Sequence, residues 1–201
     1  MNLKMMVVRY FDRRGYYLCK PTICVDMDNT ICNSSETIIK LLNGKEYDSK
    51  LLQWNFEPYI NDDMLLRALE LFNQKEFYNN LKLLPNCYET LELLSANYNI
   101  IICTKKEPKG VQFCDEWLRK HLPFIKSIVY LSQDNFDKTM IHAHFRIDDK
   151  VEALKGTGYK LLFGDYGYQN DEIKQTNIKF KRCYNWLDIK DYFINKEWHI
   201  K

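Results

Sequence analysis

The stretch Ile23-Cys24-Val25-Asp26-Met27-Asp28-Asn29-Thr30 joins a short apolar run to two aspartates that stand two residues apart. The apolar run predicts a buried strand, and side chains at i and i+2 of an extended segment point to the same side. Asp26 and Asp28 are therefore placed to reach one cation or one substrate. A buried aspartate pair is costly to keep charged without such a partner, although a solvated turn after a strand is the plainer alternative.

Strand-like runs alternate with helical patterns along most of the chain. The predicted strands are Ile23 to Val25, Asn99 to Cys103, Ser127 to Leu131, Phe145 to Ile147, Tyr159 to Phe163 and Ile178 to Cys183. Strands that alternate with helices imply right-handed crossovers and a parallel sheet with helices on both faces. The sequence thus predicts an α/β fold with a three-layer, Rossmann-like core.

One part of the chain, residues 33–84, interrupts this alternation because it has helical patterns and no convincing strand. A helical insertion directly after the aspartate strand would cover the site as a small cap. We therefore expect a core formed by residues 1–32 and 85–201 and a cap formed by residues 33–84. The aromatic residues of the cap are either cap core or a stacking surface for a planar ligand.

Composition excludes several classes of protein. The 201 residues are 46% hydrophobic and 28% charged with a net charge of +2, so neither nucleic acid nor a membrane is expected as the main partner. No apolar run is long enough for a transmembrane helix or a signal peptide. Seven scattered cysteines without a Cys-x-x-Cys pair indicate reduced thiols and a cytoplasmic location. Residues 1–20 are predicted to form an extra N-terminal segment with a hairpin.

Polar residues also lie at the ends of two other predicted strands, the second and the fourth. Thr104 ends the second strand, Lys138 stands just before the fourth, and Asp148-Asp149 end the fourth. Each has a plain explanation alone: a helix cap, a surface charge and a turn. At one edge of a parallel sheet, together with Asp26 and Asp28, they predict a site that binds phosphate and a hard cation.

This order of motifs resembles the haloacid dehalogenase (HAD) superfamily of phosphohydrolases. Phe77-Tyr78 followed by Leu81-x-x-Leu84-Pro85, the run Ile101 to Thr104, and Asp137-Lys138-Thr139 before Ile147-Asp148-Asp149 narrow the resemblance. They look like the 5'(3')-deoxyribonucleotidase, or cytosolic type C 5'-nucleotidase, family. The similarity covers about residues 22 to 190, and the resemblance implies a HAD core with a cap inserted after the first motif strand and suggests a homodimer.

Asp26 and Asp28 are expected to have different catalytic roles. Asp26 is the candidate nucleophile, and the resemblance assigns Asp28 as the acid that protonates the leaving oxygen and then as the base that activates water. That role needs an Asp28 carboxyl that can be neutral near pH 7. Mg²⁺ is the expected cofactor, held by Asp26, the backbone carbonyl of Asp28 and Asp149, with Asp148 orienting Lys138 or a metal-bound water.

Two further groups of side chains are expected at the site. The candidates for phosphate binding are Asn29, Thr104, Lys105 and Lys138. The candidates for contact with a substrate base are Phe77 and Tyr78, which occupy positions matching the family's cap aromatic residues, and Trp54 and Phe56.

Three hypotheses for function follow. The leading one is a Mg²⁺-dependent phosphatase of nucleoside monophosphates, with deoxyribonucleotides preferred. The second keeps the chemistry and changes the substrate to a sugar phosphate, another small phosphomonoester or a polynucleotide end. The third is a non-catalytic nucleotide-binding protein.

Overall fold

A six-stranded parallel sheet forms the centre of the structure, a computed structural model that describes residues 20–43, 46–132 and 137–195. The strands are β1 (Thr22–Val25), β2 (Asn99–Lys105), β3 (Ser127–Leu131), β4 (Phe145–Asp148), β5 (Tyr159–Phe163) and β6 (Lys181–Cys183). Their order is β3-β2-β1-β4-β5-β6. The winding therefore reverses between β1 and β4, the place where open α/β sheets bind ligands. The predicted α/β fold is confirmed, although the last strand begins at Lys181 rather than Ile178.

Helices cover the sheet and form the inserted segment. In the described residues they are α1 (Ser34–Asn43), α2 (Asp62–Leu71), α3 (Lys75–Asn80), α4 (Cys87–Ser95), α5 (Pro108–His121), α6 (Gln169–Gln175) and α7 (Trp186–Ile194). Apolar side chains of α4, α5 and α7 share the main core with residues of β1, among them Ile23 and Val25. Cys24 and Cys103 belong to a smaller cluster, as expected from the alternation of side chains along β1.

The segment predicted as a cap contains α1, α2 and α3 and no strand among its described residues. Its two connections to the sheet lie side by side, because Cys32 and Leu83 form an antiparallel bridge. The N–H of Leu84 donates to the carbonyl oxygen of Ile31 at 2.9 Å beside this bridge. Phe77 of the segment belongs to the same buried apolar cluster as β1, so the two parts share one core.

Two predictions concern residues at the N-terminus. The expected hairpin and Cys19 lie outside the described residues. The six cysteines that the structure describes are all free thiols.

Candidate active site

Three aspartates meet at the edge of the sheet where β1 and β4 end. Asp26 follows β1, Asp148 is the last residue of β4, and Asp149 comes next. The N–H of Asp26 donates to the carbonyl oxygen of Ile147 (2.9 Å), which fixes the end of β1 against β4. One carboxylate oxygen of each aspartate lies within 4.8 Å of the other two, and all three residues are buried. Such an all-oxygen set suits a hard divalent cation.

Lys138 lies between two of these aspartates and is buried with them. Its ammonium donates to Asp148 (2.9 Å) and, through a short contact, to Asp26. Burial lowers the pKa of Lys138, but the charges of Asp148 and Asp26 outweigh burial and hold the pKa well above its usual value. Burial also raises the pKa of Asp26 to about 6 against the attraction of Lys138. Lys138 is thus charged, and Asp26 is a carboxylate at neutral pH.

Arg146, which the sequence analysis did not single out, holds the turn that carries Lys138. Its guanidinium donates to the backbone carbonyl oxygens of Lys138 (3.0 Å) and Thr139 (3.3 Å), and the residue is only 2% exposed. A Cβ at Gly156 would lie 2.4 Å from the Arg146 Cζ, so this glycine leaves room for the guanidinium. An arginine in the middle of the apolar strand β4 is the signal in the sequence that could have found it.

Asp149 has contacts of a different kind. The Tyr168 hydroxyl donates to its carboxylate in a short contact. Burial raises the pKa of Asp149 well above its usual value, and the charges of Asp26 and Asp148 raise it further. Among the described residues only Lys138 forms ion pairs with this group, and its partners are Asp26 and Asp148 but not Asp149. One ammonium leaves negative charge uncompensated, and a divalent cation fits this site for that reason.

Asp28 turns its carboxylate away from the three aspartates and into a separate set of donors. Lys106 donates to Oδ2 at 2.7 Å and Ser34 to Oδ1 at 2.6 Å, while the Thr104 hydroxyl stands 3.4 Å from Oδ2. Burial raises the pKa of Asp28, but the Lys106 charge and the hydrogen bonds from Lys106 and Ser34 outweigh it, so the pKa is lowered. The acid role expected for Asp28 needs a carboxyl that can be neutral near pH 7, whereas these contacts favour the ionised carboxylate.

Four residues were predicted to bind phosphate, and all four line one cavity. Thr104 and Lys138 are buried at its floor, whereas the Lys105 side chain is exposed. The Asn29 amide already donates to Ser35 (2.8 Å) and accepts from the Ser35 N–H (3.0 Å). Asn29 therefore organises the turn after β1, in which its own φ is +57°. Asn29 and Lys105 have weaker support as phosphate ligands than Thr104 and Lys138.

The cavity has a volume of about 1190 Å³ and lies between the helical insertion and the edge of the sheet. Its acidic residues are Asp26, Asp28, Glu70, Glu107, Asp137, Asp149, Glu152 and Glu172, and its basic residues are Lys105, Lys106, Lys138 and Lys150. The acidic groups outnumber the basic ones, so a phosphate needs a cation to enter favourably. Apolar contacts come from the other wall, where the residues include Leu52, Trp54, Phe56, Leu66, Leu69 and Phe72.

The predicted contacts of the four cap aromatic residues with a base need one correction. Trp54 and Phe56 line the cavity, but Phe77 and Tyr78 do not, and they are 0% and 5% exposed. The Tyr78 hydroxyl donates to the carbonyl oxygen of Phe72 (3.0 Å), and the Phe77 ring lies 5.1 Å from the Phe72 ring. Phe77 and Tyr78 pack in the core behind the cavity and are covered there. They support Phe72, the wall residue that the sequence analysis missed.

Lys106 was also missed as a specific contact. It follows exposed Lys105 at the end of β2, and alternation of side chains sends it inward, where it is 4% exposed. Its ammonium lies 4.9 Å from the centre of the Phe72 ring as well as 2.7 Å from Asp28. Lys106 therefore joins the insertion to the carboxylate that neighbours Asp26.

Comparison with known proteins assigns the arrangement to a family. Residues 20–197 match the family model described as "5' nucleotidase, deoxy (Pyrimidine), cytosolic type C protein". The chain belongs to this family. The resemblance to the cytosolic type C nucleotidases is thereby confirmed, and the chain is a phosphoric monoester hydrolase of the HAD superfamily.

Relatives of this type C nucleotidase occur in staphylococci. Proteins named "Putative 5'(3')-deoxyribonucleotidase" from Staphylococcus aureus strain Mu50 and Staphylococcus epidermidis strain RP62A are 24% identical over 186 residues and 23% identical over 188 residues. The matches cover 89% and 90% of this chain and 98% and 99% of the relatives. The similarity therefore extends over both the sheet and the inserted helices.

Solved structures share the fold of this nucleotidase at low identity. A HAD-like family hydrolase from Streptococcus pneumoniae has a TM-score of 0.59 and 16% identity over 87% of this chain and 98% of that one. The hydrolase YfnB from Bacillus subtilis, solved with bound magnesium, has a TM-score of 0.50 and 12% identity over 88% of this chain and 99% of its own. Across the part of the chain that the structure describes, every helix is too short or too polar to span a membrane.

Proposed function

We propose that the protein hydrolyses nucleoside monophosphates, with deoxyribonucleotides preferred, through a phosphoryl group carried on Asp26. The observation that supports this most is the position of Asp26: its carboxylate is buried at the floor of the cavity, in contact with Lys138 and under the apolar wall. A carboxylate nucleophile divides a very slow hydrolysis into two displacements.

In the first displacement Asp26 attacks phosphorus and the nucleoside oxygen leaves. Lys138 and Thr104 line the cavity beside Asp26, where their ammonium and hydroxyl can donate to the phosphoryl oxygens as charge develops on them. Arg146 keeps Lys138 in place through the backbone of its turn. The leaving oxygen takes a proton that Lys106 delivers through the Asp28 carboxylate, 2.7 Å from its ammonium, and Lys106 regains a proton from the attacking water in the second displacement.

In the second displacement water attacks the aspartyl phosphate. Asp28 accepts a proton from that water, and its lowered pKa keeps the carboxylate in the basic form that this step requires. Ser34 holds the other oxygen of Asp28 at 2.6 Å, so the carboxylate has one fixed orientation. The products are free phosphate and Asp26 restored as a carboxylate.

Mg²⁺ is the proposed cofactor. Asp26, Asp149 and the backbone carbonyl of Asp28 would hold it, with Asp148 beside them; the buried, incompletely neutralised carboxylates fit a hard cation. When bound, it would neutralise charge on the phosphate and bring it to Asp26. The magnesium found in the related fold of YfnB is in accord with this proposal.

The substrate class follows from the wall of the cavity and from the relatives. Trp54, Phe56 and Phe72 offer aromatic surface to a base, and stacking contributes about 1 to 3 kcal/mol per base. The staphylococcal relatives are named for deoxyribonucleotides. A cavity of about 1190 Å³ is larger than a sugar phosphate needs, and its excess of acidic groups opposes a polynucleotide end.

The cap, the cellular location and the oligomeric state are also proposed. Residues 33–84 act as a cap over a core formed by the rest of the chain, since α2 and the loops on either side of it supply one wall of the cavity. The free thiols among the described cysteines support a cytoplasmic location. A homodimer is proposed from the family resemblance.

Phosphate release from a substrate panel tests the function. With Mg²⁺ present, we expect kcat/KM for deoxynucleoside monophosphates to exceed that for sugar phosphates about 10-fold or more, the factor that one stacking contact supplies. The 5' and 3' isomers and the ribonucleotides belong in the same panel. EDTA should stop turnover and added Mg²⁺ should restore it. Absence of turnover on every nucleotide would refute the proposed substrate.

A further inference from the structure

Tyr168 lies between the acidic cluster and the apolar wall of the cavity. Its hydroxyl donates to the carboxylate of Asp149 and accepts from the side-chain amide of Asn29 at 3.4 Å. Its ring stacks on Trp54 with the ring centres 3.8 Å apart and an angle of 25°. Trp54 belongs to the inserted segment, so one side chain contacts a proposed metal ligand and a proposed base-binding residue.

The ring of Tyr168 is held on its other side as well. Tyr166 stacks on it with ring centres 5.4 Å apart and an angle of 4°. The Tyr166 hydroxyl donates to the backbone carbonyl oxygen of Asn29 (2.6 Å). Tyr168 is 3% exposed, so its orientation is fixed by packing rather than by solvent. A shift of the Trp54 ring must therefore either move the Tyr168 hydroxyl or be opposed by the stacked rings of Tyr166 and Tyr168.

The backbone around Tyr168 is docked on the insertion. The N–H of Tyr168 donates to the carbonyl oxygen of Leu52 (2.8 Å), and the N–H of Gly167 donates to that of Ser49 (2.9 Å). A Cβ at Gly167 would lie 2.6 Å from the carbonyl oxygen of Lys50, so this close approach requires glycine. The segment that carries Trp54 and the loop that carries Tyr168 thus move as one unit.

We infer that Tyr168 is a positioning residue that couples nucleoside binding at Trp54 to cation binding at Asp149. The inference rests on the proposed function, which places a cation at Asp149. The hydroxyl orients the carboxylate, and hydrogen-bond partners of metal ligands are typically worth about 10- to 100-fold in metal affinity. A base that packs against Trp54 displaces the Lys150 ammonium, which lies 4.0 Å from the centre of the ring, and stabilises the stacked arrangement in which Tyr168 faces Asp149. Coupling between two binding sites is reciprocal, so the cation must also strengthen nucleoside binding.

Titration calorimetry with Mg²⁺ alone, thymidine alone and each in the presence of the other tests this coupling. In the wild-type protein thymidine should tighten Mg²⁺ binding, and Mg²⁺ should tighten thymidine binding by the same factor. Tyr168→Phe keeps the ring and removes the hydroxyl, so Mg²⁺ binding should weaken about 10-fold and the mutual effect should disappear. Thymidine binding alone should stay within about twofold, because the stack on Trp54 is retained.

Two further variants separate positioning from loss of fold. Tyr168→Leu removes the stack as well, so it should weaken the binding of thymidine in addition to that of Mg²⁺. Tyr184→Phe removes a hydroxyl from a residue that is 60% exposed and does not line the cavity, and it should behave as wild type. Unchanged Mg²⁺ affinity and unchanged coupling in Tyr168→Phe would overturn the inference. Failure of the wild-type protein to bind Mg²⁺ would instead remove the cation from the proposed function, and the inference with it.

Discussion

The two sides of the cavity differ in how their side chains are held. On the sheet side, Asp26, Asp148 and Lys138 are buried and tied to one another by ion pairs, so each fixes the charge of its neighbours. On the helical side, Trp54 is 46% exposed and Leu66 is 74% exposed, and no ion pair ties either side chain to a neighbour because both are uncharged. The sheet side is suited to catalysis because several contacts fix the position of each charged side chain. The helical side can select a substrate because its surface is open.

The largest effect should come from Asp26→Asn, which removes the proposed nucleophile from the sheet side. An amide cannot accept the phosphoryl group, so kcat for any phosphomonoester should fall by at least about 10³-fold. Steady-state phosphate release with Mg²⁺ measures this loss. Asp63→Asn, at an exposed position in α2, is the matched control and should keep full activity. Substantial turnover by pure Asp26→Asn protein would refute the nucleophile assignment.

The same variant should change stability in a direction set by the pKa of Asp26. The folded pKa is about 6, above the ordinary value of 3.8, so the folded state holds this proton more tightly than the unfolded state. The resulting stabilisation is complete below about pH 4 and is lost as the pH rises through about 6. In metal-free protein at pH 7.5, Asp26→Asn should therefore be more stable by on the order of 2 kcal/mol. Urea unfolding should show this gain shrinking toward pH 4, and a constant gain would contradict the burial of the charge.

A smaller effect is expected at the junction of the two sides, from Lys106→Met. Methionine keeps the packing against Phe72 but removes the ammonium, so the pKa of Asp28 should rise. The acidic limb of the kcat profile should move to higher pH, and kcat at pH 7 should fall about 10- to 100-fold. Lys109→Met, at an exposed position of α5 that does not line the cavity, is the control. An acidic limb that stays in place would show that Lys106 does not govern Asp28.

The smallest effect should separate the wall of the cavity from the core behind it. Phe72→Leu removes aromatic surface, so KM for nucleotides should rise about 10-fold, while turnover of p-nitrophenyl phosphate stays near wild type. Phe77→Ala lies behind the wall and should instead cost about 3 to 5 kcal/mol of unfolding free energy. Parallel kinetic and urea-unfolding measurements distinguish the two. A specific loss of nucleotide binding in folded Phe77→Ala protein would restore Phe77 to the substrate site.

The sheet side could be predicted from the sequence because strand order and chain polarity bring the ends of β1, β2 and β4 together. Asp26, Thr104 and Asp149 lie where that rule puts them. The helical side could not be predicted as well, because helical periodicity places a residue on an apolar face without saying what covers that face. Phe77 was expected in the cavity and is covered, whereas Phe72 lines it.

Two contacts were beyond the sequence for a further reason. Each residue meets a partner that is remote in the chain: Lys106 reaches Asp28, 78 residues before it, and Tyr168 reaches Trp54 of the insertion. The first contact joins the ends of the neighbouring strands β1 and β2, and the second depends on how closely the insertion approaches the sheet. A local sequence pattern does not predict either contact, because both are set by packing between segments that are remote in the chain.

Trapping the phosphoryl group on the protein tests the central claim most directly. Asp28→Asn keeps the nucleophile but removes the base of the second displacement, so the aspartyl phosphate should accumulate. The protein is mixed with Mg²⁺ and p-nitrophenyl phosphate, whose leaving group departs without a proton from Asp28, then quenched in acid and digested, and its peptides are examined by mass spectrometry. We predict a phosphoryl group on the peptide that contains Asp26, more in Asp28→Asn than in wild type and none in Asp26→Asn. Phosphate release without any modified peptide, or with the label on another residue, would contradict the account.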